Sequence, residues 1–373
     1  MRAAPAQPGD AVAAIDTPAL VVDADALDRN LRRMADYARR HGLRLRPHAK
    51  THKCAAIGRQ QVALGAVGLC VQKVGEAEAL ANGGLRDLFI SNEVIAEAKI
   101  ARLAALARTT PGLALAIAAD SALGIERLSR AMQGAPIDVF VELDVGQRRC
   151  GVEPAEVAPL ARQAVDAGLR FAGLHAYHGR AQHLRSAAER EAAITDAVAR
   201  VRAAQAALAA AGLGCPLVTG AGSGSFPLEA ASGIYGELQP GSYVFMDADY
   251  ARNAPTPGAP RFEPALFVKA QVMSTAPGRS VVDAGHKSHA IESGLPTVWG
   301  RDDLEVISAH DEHATLQPRG GALLPALGEA VWLVPGHCDP TVNLHAHLVA
   351  VRGGLERGVV EAVWPVDARG AFD

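Results

Sequence analysis

Between Leu43 and Phe245 the chain alternates short apolar runs with segments of helical period, most of them Ala-rich, and does so eight times. The runs are Leu43 to His48, Val67 to Gln72, Asp87 to Ser91, Leu113 to Ala118, Ile137 to Leu143, Arg170 to Tyr177, Leu217 to Thr219 and Leu238 to Phe245. Strands that alternate with helices in this way are expected to form a parallel sheet. Eight such units within roughly 200–250 residues predict a closed (β/α)8 TIM-type barrel, an α/β fold whose catalytic groups sit at the carboxyl ends of the strands. The competing architecture is an open doubly wound sheet, but no GxGxxG follows the first strand, which disfavours the dinucleotide-binding version.

Ahead of the barrel, Thr17 to Val22 is strand-like, and Asp23 or Asp25 can cap a helix whose apolar positions are Leu27, Leu31, Met34 and Ala38. Beyond Asp247 the pattern changes. A Pro-rich linker, Asn253 to Pro260, precedes β-runs at Phe267 to Met273, Ser280 to Asp283, Ala330 to Val334, Leu344 to Val351 and Val359 to Trp364. The expected division is residues 25–252 as the barrel, 253–373 as a C-terminal mainly-β domain, and 1–24 as a segment joining that β domain. A chain of 373 residues exceeds what one core usually supports, which fits a barrel with a smaller partner.

Net charge is −3, and no cluster of Lys and Arg is interleaved with aromatics, so a nucleic-acid surface is not expected. The five cysteines are scattered and odd in number, without CxxC spacing; this argues against a disulfide framework and for a reducing, cytoplasmic compartment. Residues 1–16 carry one Arg and no apolar run of signal-peptide length, and the uncharged stretch from Ala203 to Leu228 is broken by Gly, Pro and Ser. Neither secretion nor membrane insertion is expected.

The segment Leu45-Arg46-Pro47-His48-Ala49-Lys50-Thr51-His52-Lys53 places Lys50 directly after the first barrel strand, at the mouth. A lysine amine becomes a Schiff-base nucleophile where partial desolvation lowers its pKa; the plain alternative is a basic loop facing solvent. After the seventh strand, Thr219 to Ser225 is a Gly-rich turn whose N–H groups can close around a phosphate, with Ser223 and Ser225 supplying hydroxyls. A lone Gly-rich turn is weak evidence. An amine after strand one and a phosphate nest after strand seven, on one rim, are together much stronger. In an extended segment alternate residues share a side, so His337 and Asp339 can face one ion while Cys338 points away. An isolated His-x-Asp is otherwise an ordinary surface pair. A carboxylate with an imidazole suits Mn²⁺ or Mg²⁺, while a thiolate would suit Zn²⁺. His345 and His347 fit an exposed sheet face, and His310 and His313 a solvated loop. His175 and His178 flank Tyr177 at a strand end, and His178 is the better candidate for touching substrate. Cys54 and Cys70 are small core residues.

The chain resembles the fold-type III, alanine-racemase-like group of pyridoxal-phosphate (PLP) enzymes, and within it the D-threonine aldolase and D-serine dehydratase family. The matching segments are Asp16 to Leu20, Arg46 to Lys53, Val74 to Glu78, Asp144 to Gly151, Gly173 to His178, Pro240 to Tyr243, and Pro335 to Thr341; they span nearly the whole chain in family order. By this resemblance Lys50 would carry PLP as a Schiff base, and Arg149, chosen over Arg148 on its spacing to Gly151, would lie against the pyridine nitrogen. Gln72 and Tyr177 would line the cofactor; Ser223, Gly224 and Ser225 would hold its phosphate together with Tyr243. A guanidinium does not give up its proton, so Arg149 would not protonate the ring nitrogen. His337 and Asp339 would hold a divalent metal, Mn²⁺ or Mg²⁺ ahead of Zn²⁺; Asp at the second position matches the aldolase branch, where the dehydratases have Cys. The implied reaction is retro-aldol cleavage of a D-3-hydroxy amino acid to glycine and an aldehyde, in a homodimer. The alternatives are dehydration of D-serine or D-threo-3-hydroxyaspartate to a keto acid and ammonia, and a non-catalytic PLP carrier.

Overall fold

The structure is a computed structural model and describes residues 4–373. Strand β1 (Ala19–Asp23) runs into helix α1 (Ala24–Arg40). The Asp23 carboxylate accepts from the Ala26 N–H at 3.0 Å, satisfying one of the amides a helix start leaves free; Asp25 lies inside the first turn. The helix buries Leu27, Leu31, Met34 and Ala38, the face their spacing predicts.

Eight strands follow: β2 (Arg44–Leu45), β3 (Leu69–Val71), β4 (Asp87–Ile90), β5 (Ala114–Ala119), β6 (Asp138–Glu142), β7 (Arg170–His175), β8 (Val218–Gly220) and β9 (Glu237–Leu238). Between them run α2 (Ala55–Ala63), α3 (Val74–Asn82), α4 (Glu97–Thr109), α5 (Ala122–Met132), α6 (Val157–Asp166), α7 (Ala187–Ala210) and α8 (Phe226–Ala231). The strands pair in parallel in the order β2-β9-β8-β7-β6-β5-β4-β3. The two ends of this curled sheet meet through a parallel bridge between His48 and Cys70, with the Val67 N–H donating to Leu45 O at 2.9 Å and Cys70 N–H to Pro47 O at 2.8 Å. The strand read from Leu238 to Phe245 is cut short. Pro240 and Gly241 end it, and Ser242 to Val244 form a 3-10 turn that brings the chain back over the mouth.

The barrel interior has two levels. At one, Cys70, Phe89, Ala116, Ala118 and Phe140 pack together, with Phe89 and Phe140 rings 4.9 Å apart. Toward the carboxyl ends of the strands the lining becomes polar, and the site lies there. The larger core fills the space between strands and helices.

After α9 (Ala248–Ala251) the chain enters a β-rich region: β10 (Leu266–Ala276), β11 (Arg279–Val282), β12 (Thr297–Val298), β13 (Leu304–Ala309), β14 (Ala314–Pro318), β15 (Ala330–Val334), helix α10 (Cys338–Leu344), β16 (His347–Arg352) and β17 (Val359–Pro365). Strand β1 lies between β10, antiparallel to it, and β16, parallel to it. The hairpin β13–β14 was not anticipated, although Leu304 and Val306 alternate with exposed residues as in a half-buried strand. Leu344 ends a helix where a strand start was expected. Among the described residues, no helix is long and apolar enough to cross a membrane.

Candidate active site

The turn after β2 carries the amine. His48 is extended and its Nδ1 accepts from the Lys50 N–H at 3.3 Å, starting the one-turn helix Ala49 to Thr51 that aims Lys50 across the mouth. On the far side of the His48 ring, Nε2 lies 2.8 Å from the Gln72 side-chain amide and 3.1 Å from Ser91 Oγ. Burial, helped by the Lys50 charge, pushes the His48 imidazole well down, so it stays neutral and can accept. Lys50 Nζ lies 3.5 Å from Asp339 Oδ2, and the side chain keeps 38% of its surface open to the mouth. Here the expectation of a depressed lysine is reversed. Burial is the largest influence and lowers the amine, but the Asp339 carboxylate and Tyr177 together outweigh it and Lys50 ends above the ordinary lysine value.

Asp339 and His337 reach the mouth from α10. The segment is not the extended one assumed from the sequence: His337 is the extended residue before the helix and Asp339 stands in its first turn. His337 Nε2 and Asp339 Oδ1 are nevertheless 3.9 Å apart, while Cys338 is buried behind them, its N–H donating to Asp247 Oδ2 at 3.0 Å. Two bonds of about 2.1 Å to one ion span at most roughly 4.2 Å, so this imidazole–carboxylate pair fits a divalent cation.

Arg149, rather than Arg148, turns toward this group. Its guanidinium sits 5.8 Å from the Tyr177 ring centroid and 3.8 Å from Glu142 Oε1. Arg148 takes a left-handed conformation (φ 56°) and its N–H donates to Asp144 Oδ1 at 3.0 Å. Below Arg149 runs a buried polar chain that the sequence did not reveal. His175 Nδ1 meets Glu142 Oε2 at 2.9 Å and its Nε2 meets Gln239 Oε1 at 3.1 Å. Gln239 Nε2 donates to Thr219 Oγ1 at 2.7 Å, Thr219 donates to Glu237 Oε1 at 2.8 Å, and Glu237 pairs with Arg46 at 3.1 Å. Burial opposes charge on His175, but Glu142 overrides it and raises the imidazole, whose two ring nitrogens both face oxygen acceptors. Glu142 is held low by His175 in return. The available signal was a lone charged residue closing each of the apolar runs β6 and β7.

At the edge of this group, Glu93, Asp120 and Cys150 place ligand atoms within 4.8 Å of one another. Burial and the nearby Glu142 push the Glu93 carboxyl up to about 7.

The Gly-rich turn after β8 is tightly built. A Cβ on Gly222 would meet the Gln182 amide at 2.5 Å, and one on Gly224 the Gln182 backbone at 2.8 Å. Ser223 Oγ accepts from the Tyr243 N–H at 2.9 Å. The Gly224 N–H donates to Gln182 Oε1 at 2.8 Å, whereas the N–H groups of Gly222 and Ser223 have no acceptor among the described residues. Those two donors suit a phosphate. Two residues expected at the phosphate have their side chains occupied elsewhere. Ser225 is buried, with Oγ 2.6 Å from Gln182 Nε2 and donating to Glu229 Oε1 at 2.7 Å. The Tyr243 hydroxyl accepts from Gln61 Nε2 at 3.1 Å inside the core, so only its backbone faces the turn. The His178 Nδ1 accepts from the Ala181 N–H at 3.3 Å, and its Nε2 faces Gly146.

Amine, arginine, Gly-rich turn and imidazole–carboxylate pair thus share one rim of a parallel barrel, the arrangement of a PLP enzyme of fold-type III. Residues 22–249 match the alanine racemase N-terminal domain and residues 265–351 a putative serine dehydratase domain, and the chain belongs to this alanine-racemase-like family. It is 48% identical to a D-threonine aldolase of Arthrobacter sp over 98% of this chain and 96% of that one. It is 46% identical to a 3-hydroxy-D-aspartate aldolase of Paracoccus denitrificans, over 98% and 95%. The crystal structure of a D-threonine aldolase from Filomicrobium marinum superposes with a TM-score of 0.95 at 48% identity, covering all of both chains. A D-threo-3-hydroxyaspartate dehydratase of Delftia sp. is more distant, at 33% over 76% of this chain and 75% of that one.

Proposed function

We propose that the protein is an aldolase dependent on PLP and a divalent metal, cleaving D-3-hydroxy amino acids to glycine and an aldehyde. The observation that carries this reading is the 3.5 Å approach of the Lys50 amine to Asp339, itself 3.9 Å from His337. It puts the anchor for an amino acid's nitrogen beside the ligands for an ion, as a reaction between Cα and a β-hydroxyl requires. The identities to aldolases, well above that to the dehydratase, support the same choice.

Lys50 would anchor the cofactor, Gln72 and Tyr177 would line it, and the N–H groups of Gly222 and Ser223 would hold its phosphate, with Gly224 closing the turn through its bond to Gln182. Ser225 and Tyr243 brace that turn. When bound, PLP supplies an electron sink for Cα and the ion supplies Lewis acidity at the β-hydroxyl. Arg149, 3.8 Å from Glu142, would lie beside the ring as a donor only. His337 and Asp339 would hold the ion; Mn²⁺ or Mg²⁺ suits an imidazole with a carboxylate better than Zn²⁺. His178 is the histidine proposed to touch substrate, through Nε2, since its Nδ1 accepts from the Ala181 N–H. We further propose that residues 25–252 carry the cofactor and 253–373 the metal, and that the protein works as a cytoplasmic homodimer.

The test is to incubate the purified protein with D-threonine or 3-hydroxy-D-aspartate, with Mn²⁺ and with EDTA. Glycine and an aldehyde should form only in the presence of metal. A keto acid with ammonia would favour the dehydratase, and no product at all a PLP carrier.

A further inference from the structure

One carboxylate on the β-domain side of the mouth has no part in the reading above. Glu292 lies in the loop between β11 and β12, and its Oε1 is 2.6 Å from His337 Nδ1. Its side chain is 52% exposed, and an exposed ion pair contributes little to stability. The loop is nonetheless fixed in several places. The Ala290 N–H donates to Thr341 Oγ1 at 3.1 Å, and Thr341 donates to His337 O at 2.7 Å. Arg252 donates to Ser293 O at 2.7 Å, and His345 Nε2 meets Ser288 O at 2.7 Å. A Cβ on Gly336 would stand 2.0 Å from Gly294 O, so the loop lies directly on the backbone that leads into His337. Ser293 Oγ lies 3.3 Å from the same Glu292 oxygen.

The choice of nitrogen matters. A neutral imidazole has one N–H and one lone pair, and an ionised carboxylate can only accept. With the Nδ1 proton given to Glu292, the lone pair is on Nε2, the nitrogen that faces Asp339. We propose that Glu292 is a positioning residue for the metal centre, fixing the tautomer and ring orientation of His337 so that Nε2 is the ligating atom. This rests on the assignment of His337 and Asp339 as metal ligands. Outer carboxylates that orient ligating histidines typically cost about 10–100-fold in metal affinity when removed.

The test is Mn²⁺ titration of the holoprotein, with free ion read by electron paramagnetic resonance, for wild type, Glu292→Ala, Glu292→Gln and His337→Ala. Glu292→Ala should weaken Mn²⁺ binding by about 10–100-fold. Glu292→Gln, whose amide oxygen can accept the same proton, should recover most of that loss, and the cofactor's visible absorbance should not change in either variant. Wild-type affinity in Glu292→Ala, together with lost binding in His337→Ala, overturns the inference and leaves the metal site standing. Equal losses in the Ala and Gln variants overturn it too, since charge and not hydrogen bonding would then be responsible. Unchanged binding in His337→Ala overturns both the inference and the ligand assignment beneath it.

Discussion

The barrel and the β domain hold their charged side chains at the mouth in different ways. In the barrel, Glu142, His175, Gln239, Thr219, Glu237 and Arg46 form a continuous buried chain in which each group's partner is another strand-borne side chain. The β domain supplies His337 and Asp339 from the start of a seven-residue helix, backed by a loop carboxylate that is half exposed. Buried charges must be paired or the fold suffers, whereas groups at a loop-supported edge can be removed with little loss of folding free energy. Substitutions in the buried barrel chain should therefore act through stability, and substitutions in the β-domain pair through metal and turnover.

The largest effects should come from comparing Lys50→Ala with Asp339→Ala. Lys50→Ala is expected to lose both the visible absorbance of the lysine-bound cofactor and turnover, by on the order of 10³-fold or more. Asp339→Ala should keep the absorbance and lose metal-dependent aldehyde release by on the order of 10²-fold or more. Full activity in Asp339→Ala would remove the β domain from the site.

Next in size is the difference in stability between Glu142→Ala and His337→Ala. Truncating Glu142 leaves His175 buried without its carboxylate and should cost about 3–5 kcal/mol in urea unfolding. His337→Ala should cost about 1 kcal/mol or less, its partner Glu292 being half exposed. If the two variants unfold alike, the contrast between the regions is wrong.

Most of the architecture was legible because it rests on periodicity. The strand–helix alternation from Leu43 onward and the face of Leu27, Leu31, Met34 and Ala38 both follow from which residues must be buried. What failed was local geometry. Pro240 and Gly241 cut the eighth strand short and led its expected second half into a 3-10 turn, and the His337 segment entered a helix where alternation had been assumed. The Lys50 turn and the Gly-rich turn were visible as residue types in sequence. The orientations of Ser225, Tyr243 and His178 were not, since each is decided by a distant partner: Glu229 and Gln182, Gln61, and the Ala181 amide. The Glu142–His175–Gln239 chain joins three strands, and no spacing along one segment encodes it. The raised Lys50 was hidden for the same reason, because Asp339, which opposes its burial together with Tyr177, comes from the other end of the chain.

One barrel carboxylate departs from the rule of paired burial and yields the smallest predicted effect. Glu229, on α8 behind the Gly-rich turn, accepts from Ser225 at one oxygen, while the other is buried with no partner among the described residues. Burial pushes its carboxyl up to about 7, from an ordinary value of 4.5. Between those values the folded protein keeps a proton that the unfolded chain has released, so stability falls as pH rises through this window and levels off above about 7. Glu229→Gln cannot titrate, and its amide oxygen can still accept from Ser225. The variant should therefore gain on wild type progressively from pH 5 to 8, by at most about 3 kcal/mol at the upper end. Glu93 titrates in the same window but does so in both proteins, so the difference between their urea midpoints isolates Glu229. A difference that stays constant from pH 5 to 8 would show that Glu229 is already ionised in the fold, with a counter-charge that its surroundings do not reveal.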